Sequence, residues 1–247
     1  MQRLMILLLA MLILGGCAST GGPSANDPIE GVNRGVYDFN EGLDTYALAP
    51  ASRGWTRITS DGVRTSVDNF FTNLESPGYV LNDLLQGKPG DAGRESVRFV
   101  VNTTVGLLGL FDPAAAFMGL EGRAEDFGQT LGVWGVDSGP YLVLPLFGPS
   151  DTRDVTQYPV AHYTNVLTYV TLDSLTFGAL TALNVVNSRA RAEGAARFRD
   201  DAAVDPYVFT RSAYRQYRRN QINDGGVSVE DDAYSDFFEA MERAPAD

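Results

Sequence analysis

The chain has 247 residues, with 19 Lys or Arg against 31 Asp or Glu, for a formal charge of −12. That excess of acid excludes nucleic acid as a partner, and it excludes attachment to anionic lipid through a generally basic surface. The length suits one large domain or two small ones, and 26 Gly with 12 Pro call for short, interrupted helices.

The chain opens with Met1-Gln2-Arg3, which carries one positive charge, followed by the uncharged apolar run Leu4 to Leu14. A run of about eleven residues is too short to span a hydrocarbon core of roughly 30 Å. A charged start, a short apolar stretch and small residues at a cleavage point read as a signal peptide over residues 1–16. Leu14-Gly15-Gly16-Cys17 has the form of a bacterial lipobox: a diacylglyceryl group needs a thiol, and small residues let the backbone enter a peptidase. Cys17 is thus the expected lipidation site and the first residue after cleavage. It is the only cysteine, so no intramolecular disulfide can form. Ala18 stands where an Asp would mark inner-membrane retention, which points to the periplasmic leaflet of the outer membrane. Residues 17–26 read as a lipidated flexible tether.

Structure is expected to begin at Asp27-Pro28-Ile29-Glu30, where Asp27 can cap a helix, Pro28 fits its first position and Glu30 can reach back to the cap amide. The same Asp/Ser-Pro start recurs at Ser76-Pro77, Asp112-Pro113 and Asp205-Pro206. Repeated helix starts with few alternating runs predict an all-α fold. Val63, Val67, Phe70, Phe71 and Leu74 form one apolar stripe along residues 57–74. Val97, Val100, Val101, Val105 and Leu108 form another along 91–108. In a soluble bundle such stripes face the core; a helix lying in a membrane interface carries the same stripe.

Residues 139–149 place Tyr-Leu-Val-Leu-Pro-Leu-Phe between two Gly-Pro pairs, and Pro145 predicts an extended apolar loop rather than a central strand. Residues 155–188 carry one formal charge, Asp173, and read as a buried or half-immersed helix rather than a span. We take Tyr141, Leu142, Leu144, Leu146, Phe147, Leu167 and Leu175 from these two segments as candidate contacts to lipid or to a membrane partner. Arg211, Arg215, Arg218 and Arg219 share one helix face. They are candidates for contact with a phosphate head group or a soluble partner; a solvated face or pairing with the acidic tail would accommodate them equally. Of 19 basic residues only Lys88 is not Arg, which suits phosphate contacts or GC-rich coding. Residues 222–247 form an acidic tail, expected to be flexible, with Phe237, Phe238 and Met241 inside it.

Signs of catalysis are few. His162 is the only histidine, so neither a zinc site nor a Ser-His-Asp hydrolase has support, and a structural role is expected for it. Neither standard phosphate-cradling glycine loop occurs. The chain reads as a non-enzyme with no metal and no cofactor.

Several motifs in order resemble the MlaA (VacJ) family of outer-membrane lipoproteins. They begin with Asp27-Pro28-Ile29-Glu30-Gly31-Val32-Asn33-Arg34, then Tyr37, Phe39 and Asn40, and Asn69-Phe70-Phe71-Thr72-Asn73-Leu74-Glu75-Ser76-Pro77. Leu84-Leu85-Gln86-Gly87, Arg98-Phe99-Val100-Val101-Asn102 and Phe127-Gly128-Gln129-Thr130 follow. Gly135-Val136-Asp137-Ser138-Gly139-Pro140-Tyr141, Leu144-Pro145, Gly148-Pro149-Ser150, Arg153-Asp154 and Asp205-Pro206-Tyr207 complete the series. The resemblance runs from about residue 27 to 221, which is taken as one helical MlaA-like domain. It implies a flattened ring of helices around an amphipathic channel. It further implies passage of misplaced phospholipid from the outer leaflet to a soluble periplasmic carrier (MlaC-like), in company with a trimeric porin, so that outer-membrane lipid asymmetry is kept. The alternative is a non-transporting lipoprotein that scaffolds a porin or envelope complex.

Overall fold

The computed structural model describes residues 27–170 and 173–225. The signal peptide, Cys17, the tether and the tail beyond Gly225 lie outside the described residues. Among the described residues helices dominate, as the sequence pattern requires, with one two-stranded hairpin between them.

Helix α1 (Glu30–Leu43) runs through a π turn (Asp44–Leu48) into α2 (Ala49–Ile58), which stops where Thr59 turns extended. Asp27 does not cap α1. The N-cap is Ile29, without a side-chain bond, and the Asp27 carboxylate is buried and turned to other work described below. Ser60 caps α3 (Asp61–Leu85), its hydroxyl accepting from the Val63 amide. At about 1.5 Å per residue its 25 residues reach about 37 Å. Pro77 lies inside this helix rather than starting a new one, which corrects the reading of Ser76-Pro77 as a helix start. Tertiary packing wins here over the local proline signal. The Ser76 hydroxyl donates to Glu95 at 2.6 Å, and a Cβ on Gly78 would stand 2.7 Å from the Thr164 hydroxyl, so the packed face runs straight through the proline.

Helix α4 (Pro89–Thr104) packs antiparallel on α3 across a short turn. Helices α5 (Pro113–Met118) and α6 (Phe127–Val133) begin at Asp112 and Asp126, each accepting an amide two or three residues into its own helix. Helix α7 (Gln157–Thr164), a 3-10 turn (Val166–Tyr169) and α8 (Ser174–Arg191) divide what the sequence offered as one helical stretch. Asp173 is the α8 N-cap, bonding the Leu175 and Thr176 amides at 3.0 Å. Of α7 and α8 only Asn187 is buried, so the buried-helix reading of 155–188 does not hold. No helix among the described residues is long and apolar enough to cross a membrane. Helices α9 (Glu193–Ala202) and α10 (Pro206–Ile222) are the last among the described residues, α10 capped by Asp205.

The segment expected as a loop is a hairpin. Strands β1 (Tyr141–Leu144) and β2 (Gly148–Asp151) pair antiparallel, Tyr141 opposite Asp151 and Leu144 opposite Gly148. Pro145 is legal because it sits in the turn between the strands, not within either. The other edge of β1 is held by side chains of α1. Asn33 donates to the Tyr141 carbonyl and accepts the Val143 amide, both at 2.9 Å; Asn40 donates to the Leu144 carbonyl at 3.0 Å and accepts the Leu146 amide at 2.9 Å. Two helical turns advance about 10.5 Å and three strand residues about 10 Å, so two asparagines seven apart match the edge of a strand. Beneath this junction lies the apolar core of Tyr37, Tyr141, Val143 and Tyr207, with edge-on ring contacts at 5.6 and 6.1 Å.

Asn33→Ala would leave the Tyr141 carbonyl, the Val143 amide and one Asp27 oxygen without these bonds in a buried place. We expect a loss of about 3 kcal/mol in unfolding measured in detergent. A loss under about 0.5 kcal/mol, the size of an ordinary surface substitution, would contradict the edge-holding role.

Candidate functional site

The residues that pack inside are mostly polar. Among the described residues the buried hydrophobic side chains number eight and the buried polar or charged ones twenty. Helix α4 shows the pattern clearly. Its buried positions are Ala92, Glu95, Arg98 and Asn102, while the valine stripe faces outward, with Val100 57% exposed. Of the two readings of this stripe, the structure contradicts the one in which it faces a core: the helix is amphipathic, but its polar face is the packed one.

Most buried polar groups have company, although Asn73 Oδ1 and the Tyr141 hydroxyl are buried without a hydrogen-bond partner. Arg98 pairs with Glu95 at 3.2 Å and with Asp112 at 2.9 Å, and Asn102 donates to Asp112 at 2.9 Å. Asp112 carries both the α5 cap and these bonds, and although burial works to raise its pKa, the donors hold it below the usual carboxylate range. Across the junction with α1, Asp27 receives Asn33 at 2.8 Å, Arg211 at 3.2 Å and the Tyr207 hydroxyl. On the far side of β2, Arg218 bridges Asp126 and Asp154, at 2.5 and 2.6 Å, and Arg153 and Tyr214 also reach Asp154, at 2.9 and 2.6 Å. Burial opposes ionisation of Asp126 and Asp154, and Arg218 overcomes it in both. Gly128 passes so close that a Cβ there would meet Asp154 at 2.5 Å and Arg218 at 2.8 Å. No backbone strain is involved; only the absence of a side chain permits the approach.

A third group is less balanced. Asp83 is buried and its carboxyl is pushed up to about 7, by burial first and then by the neighbouring charges of Glu125 and Asp91. Glu125 accepts from Gln86 at 2.8 Å and from Lys88 at 3.4 Å, and Thr130 donates to Asn82 at 2.9 Å. Lys88 and Arg123 both hold Asp224 at 2.8 Å. No group of three or more His, Cys, Asp or Glu among the described residues could hold a metal ion.

The exterior is the converse. Val97, Val100, Val105, Leu108, Phe111, Phe117 and Trp134 stand exposed around α4, α5 and α6. Leu107 and Leu108 both take positive φ, 54° and 62°, a conformation costly for leucine, and they present both side chains outward. From Ser174 to Ala179 every residue of α8 is exposed, and Leu175 is 83% exposed. So much uncovered leucine and phenylalanine is untenable in water, since burying each is worth roughly 1.5–3 kcal/mol.

The candidate contacts divide. Leu146, Phe147 and Leu175 are exposed, while Leu142, Leu144 and Leu167 are half-buried. Tyr141 is corrected: at 0% exposure it is the centre of the apolar core, because β1 turns alternate residues inward, and it offers nothing to an outside partner. The basic face of α10 is turned largely inward. Arg211 and Arg218 are buried on Asp27, Asp126 and Asp154; Arg215 is half-buried with its guanidinium 5.8 Å from the Tyr141 ring, and Arg219 is half-buried. Exposed His162, beside the Tyr163 ring at 5.3 Å, is not a core residue. The polar stripe Glu95-Arg98-Asn102 was missed. Its signal was an i, i+3, i+7 spacing of groups able to satisfy one another.

The MlaA lipoprotein family model matches residues 25–221. The chain belongs to the MlaA lipoprotein family. It is 35% identical to the intermembrane phospholipid transport system lipoprotein MlaA of Escherichia coli strain K12 over 232 residues, 91% of this chain and 90% of that one. The Haemophilus influenzae protein of the same name is 30% identical over 91% of this chain and 92% of its own. An uncharacterized protein of Rickettsia conorii is 36% identical over 84% of this chain and 82% of its own. A solved structure described as "Structural basis for maintenance of bacterial outer membrane lipid asymmetry" superposes with a TM-score of 0.70 at 32% identity, over 79% of this chain and 98% of that one. Within the stretches that carry the family resemblance, Asp27, Asn33, Arg98, Asn102, Gly128, Asp154 and Tyr207 fall in the networks above, whereas Phe39, Leu84 and Val136 are exposed.

Asp83 gives a pH dependence with a definite sign. Its folded pKa lies above the ordinary 3.8, so between about pH 4 and 7 the folded state holds more protons and stability falls as pH rises. Asp151, pushed up to about 6 by burial and the charge of Asp154, acts in the same direction. We expect Asp83→Asn to raise stability at pH 8 by about 2 kcal/mol and to flatten this slope, read by unfolding at several pH values. An unchanged slope would contradict the assignment.

Proposed function

We propose that this chain is an outer-membrane lipoprotein, lipidated at Cys17, that moves phospholipid through its polar interior. The observation that carries the reading is the inversion of burial, with valine, leucine and phenylalanine outside and paired acids, arginines and amides inside. A protein so arranged fits the hydrocarbon of a lipid leaflet. Helices too short to span are compatible with a seat in one leaflet, and the lipobox supports the periplasmic leaflet of the outer membrane. A phosphate and its tails need a polar wall beside an apolar one, and an amphipathic channel within the helices supplies both. Phospholipid misplaced in the outer leaflet enters there and leaves to a soluble periplasmic carrier (MlaC-like), with a trimeric porin holding the protein in place. The result is the maintenance of outer-membrane lipid asymmetry. The names of the Escherichia coli and Haemophilus influenzae relatives support intermembrane phospholipid transport. The lipid is moved unaltered, so the reading calls on no catalytic group.

Of the four arginines of α10, we assign the guiding of the head group to half-buried Arg215 and Arg219. Arg211 and Arg218 hold the interior together. Exposed Leu146, Phe147 and Leu175 contact lipid or the porin.

The test is lipid content and fate. Protein extracted in mild detergent should carry phospholipid detectable by mass spectrometry, and Arg215→Glu with Arg219→Glu should slow transfer to the carrier without unfolding the chain. Cys17→Ser should abolish labelling by a fatty-acid probe. Protein free of phospholipid, in a strain where transfer proceeds normally without it, would overturn transport in favour of a porin scaffold. A Cys17→Ser chain that still takes the probe would overturn the anchor.

A further inference from the structure

Among the described residues most arginines are matched by an acid. Arg34, Arg64, Arg94, Arg98, Arg123, Arg153, Arg189, Arg191, Arg197 and Arg199 each hold an acid, as do Arg211 and Arg218. Arg53 and Arg57 depart from that rule. Both are exposed, one turn apart on the same face of α2, and among the described residues neither has an acid partner. On a protein of charge −12 a basic pair left open is notable. Its surroundings are apolar: Ile58, beside it, is 79% exposed, and Tyr46 is exposed at the preceding turn.

We infer that Arg53 and Arg57 hold lipid head-group phosphates at the membrane surface and fix the depth at which the protein sits. The inference rests on the immersion reading above and goes beyond it by assigning the surface-level contact. Helix α8 supplies the ruler. Its apolar end, at Leu175, has no protein cover, and its other end is tied to α2, where Trp55 donates to Asn187 at 2.9 Å and Asn187 donates to the Arg64 carbonyl at 3.1 Å. Twelve residues of helix separate Leu175 from Asn187, a rise of about 18 Å. Half of a hydrocarbon core is about 15 Å. With Leu175 at the tail ends near the bilayer midplane, the level of Asn187, Trp55 and the arginine pair falls at the head groups. A tryptophan with its N–H bonded, flanked by two cations on long stems, is the composition that suits that boundary. Phosphate also meets the charge requirement, since each cation near an anionic lipid surface contributes attraction that net protein charge does not cancel locally.

The acidic tail of the same chain is the competing anion. Its root is far away: Asp224 is held by Lys88 and Arg123, and Lys88 follows the end of α3, whereas Arg64 lies at its beginning. The 21 residues from Arg64 to Leu85 amount to about 32 Å of helix.

The test uses the full lipidated chain in proteoliposomes of phosphatidylethanolamine and phosphatidylglycerol. Trp134→Phe leaves Trp55 as the single tryptophan, and its emission is quenched with nitroxides placed at the head group or deep in the acyl chain. A bimane on Leu175→Cys reports the other end of α8. The expected result is stronger quenching of Trp55 by the head-group label, of Leu175→Cys by the chain label, and loss of the head-group excess in Arg53→Gln, Arg57→Gln. Trp55 untouched by either label while Leu175→Cys responds to the chain label would overturn this inference and leave immersion standing. Both probes untouched would overturn immersion itself. A head-group excess kept in the double variant, or lost in the parent chain when residues 226–247 are removed, would assign the pair elsewhere and overturn it.

Discussion

Every polar group that this protein buries has to be satisfied by the protein. With hydrocarbon-like side chains on the outside, a stray interior charge has little water to turn to, and an isolated buried ion costs several kcal/mol after relaxation. At the joints between elements the interior answers with carboxylates that take two or more donors. Asp27 joins α1 to α10, Asp112 joins α4 to α5, and Asp154 joins the hairpin to α10. The architecture follows from those joints. Helices that would otherwise share few apolar contacts are held by ion pairs and amide bonds.

The glycines and asparagines serve the same constraint. Asn33 and Asn40 complete the edge of β1 that faces away from β2. Gly128 is where helix α6 comes within reach of the Asp154–Arg218 pair. Such close approaches trade apolar packing for geometry, and a wall built from fixed donors and acceptors is what a passing phosphate head group would require. Asp83 beside Glu125 is the exception, an unbalanced pair whose protonation near neutral pH relieves the repulsion.

Much of this was legible in the chain. The helix starts at Asp112-Pro113 and Asp205-Pro206 and the amphipathic stripes read correctly from residue type and spacing, and the resemblance named the family. What spacing does not encode is which face turns inward. The valines at 97, 100 and 105 define a stripe, and in water that stripe packs; only the mutual pairing of Glu95, Arg98, Asn102 and Asp112 shows that the opposite face does. Pro77 and Tyr141 failed for a related reason. Each was judged by its immediate neighbours, whereas Ser76, Gly78 and the alternation of β1 placed them through contacts with distant residues.

The central claim is that α4 shows hydrocarbon its valines and protein its charges. A spin label at Val100→Cys in a Cys17→Ser chain, where it is the sole thiol, tests it directly in proteoliposomes. The account predicts high accessibility to oxygen, which concentrates in hydrocarbon, and low accessibility to a water-soluble nickel chelate. A label freely reached by the nickel chelate, as on the outside of a helix in water, would contradict it.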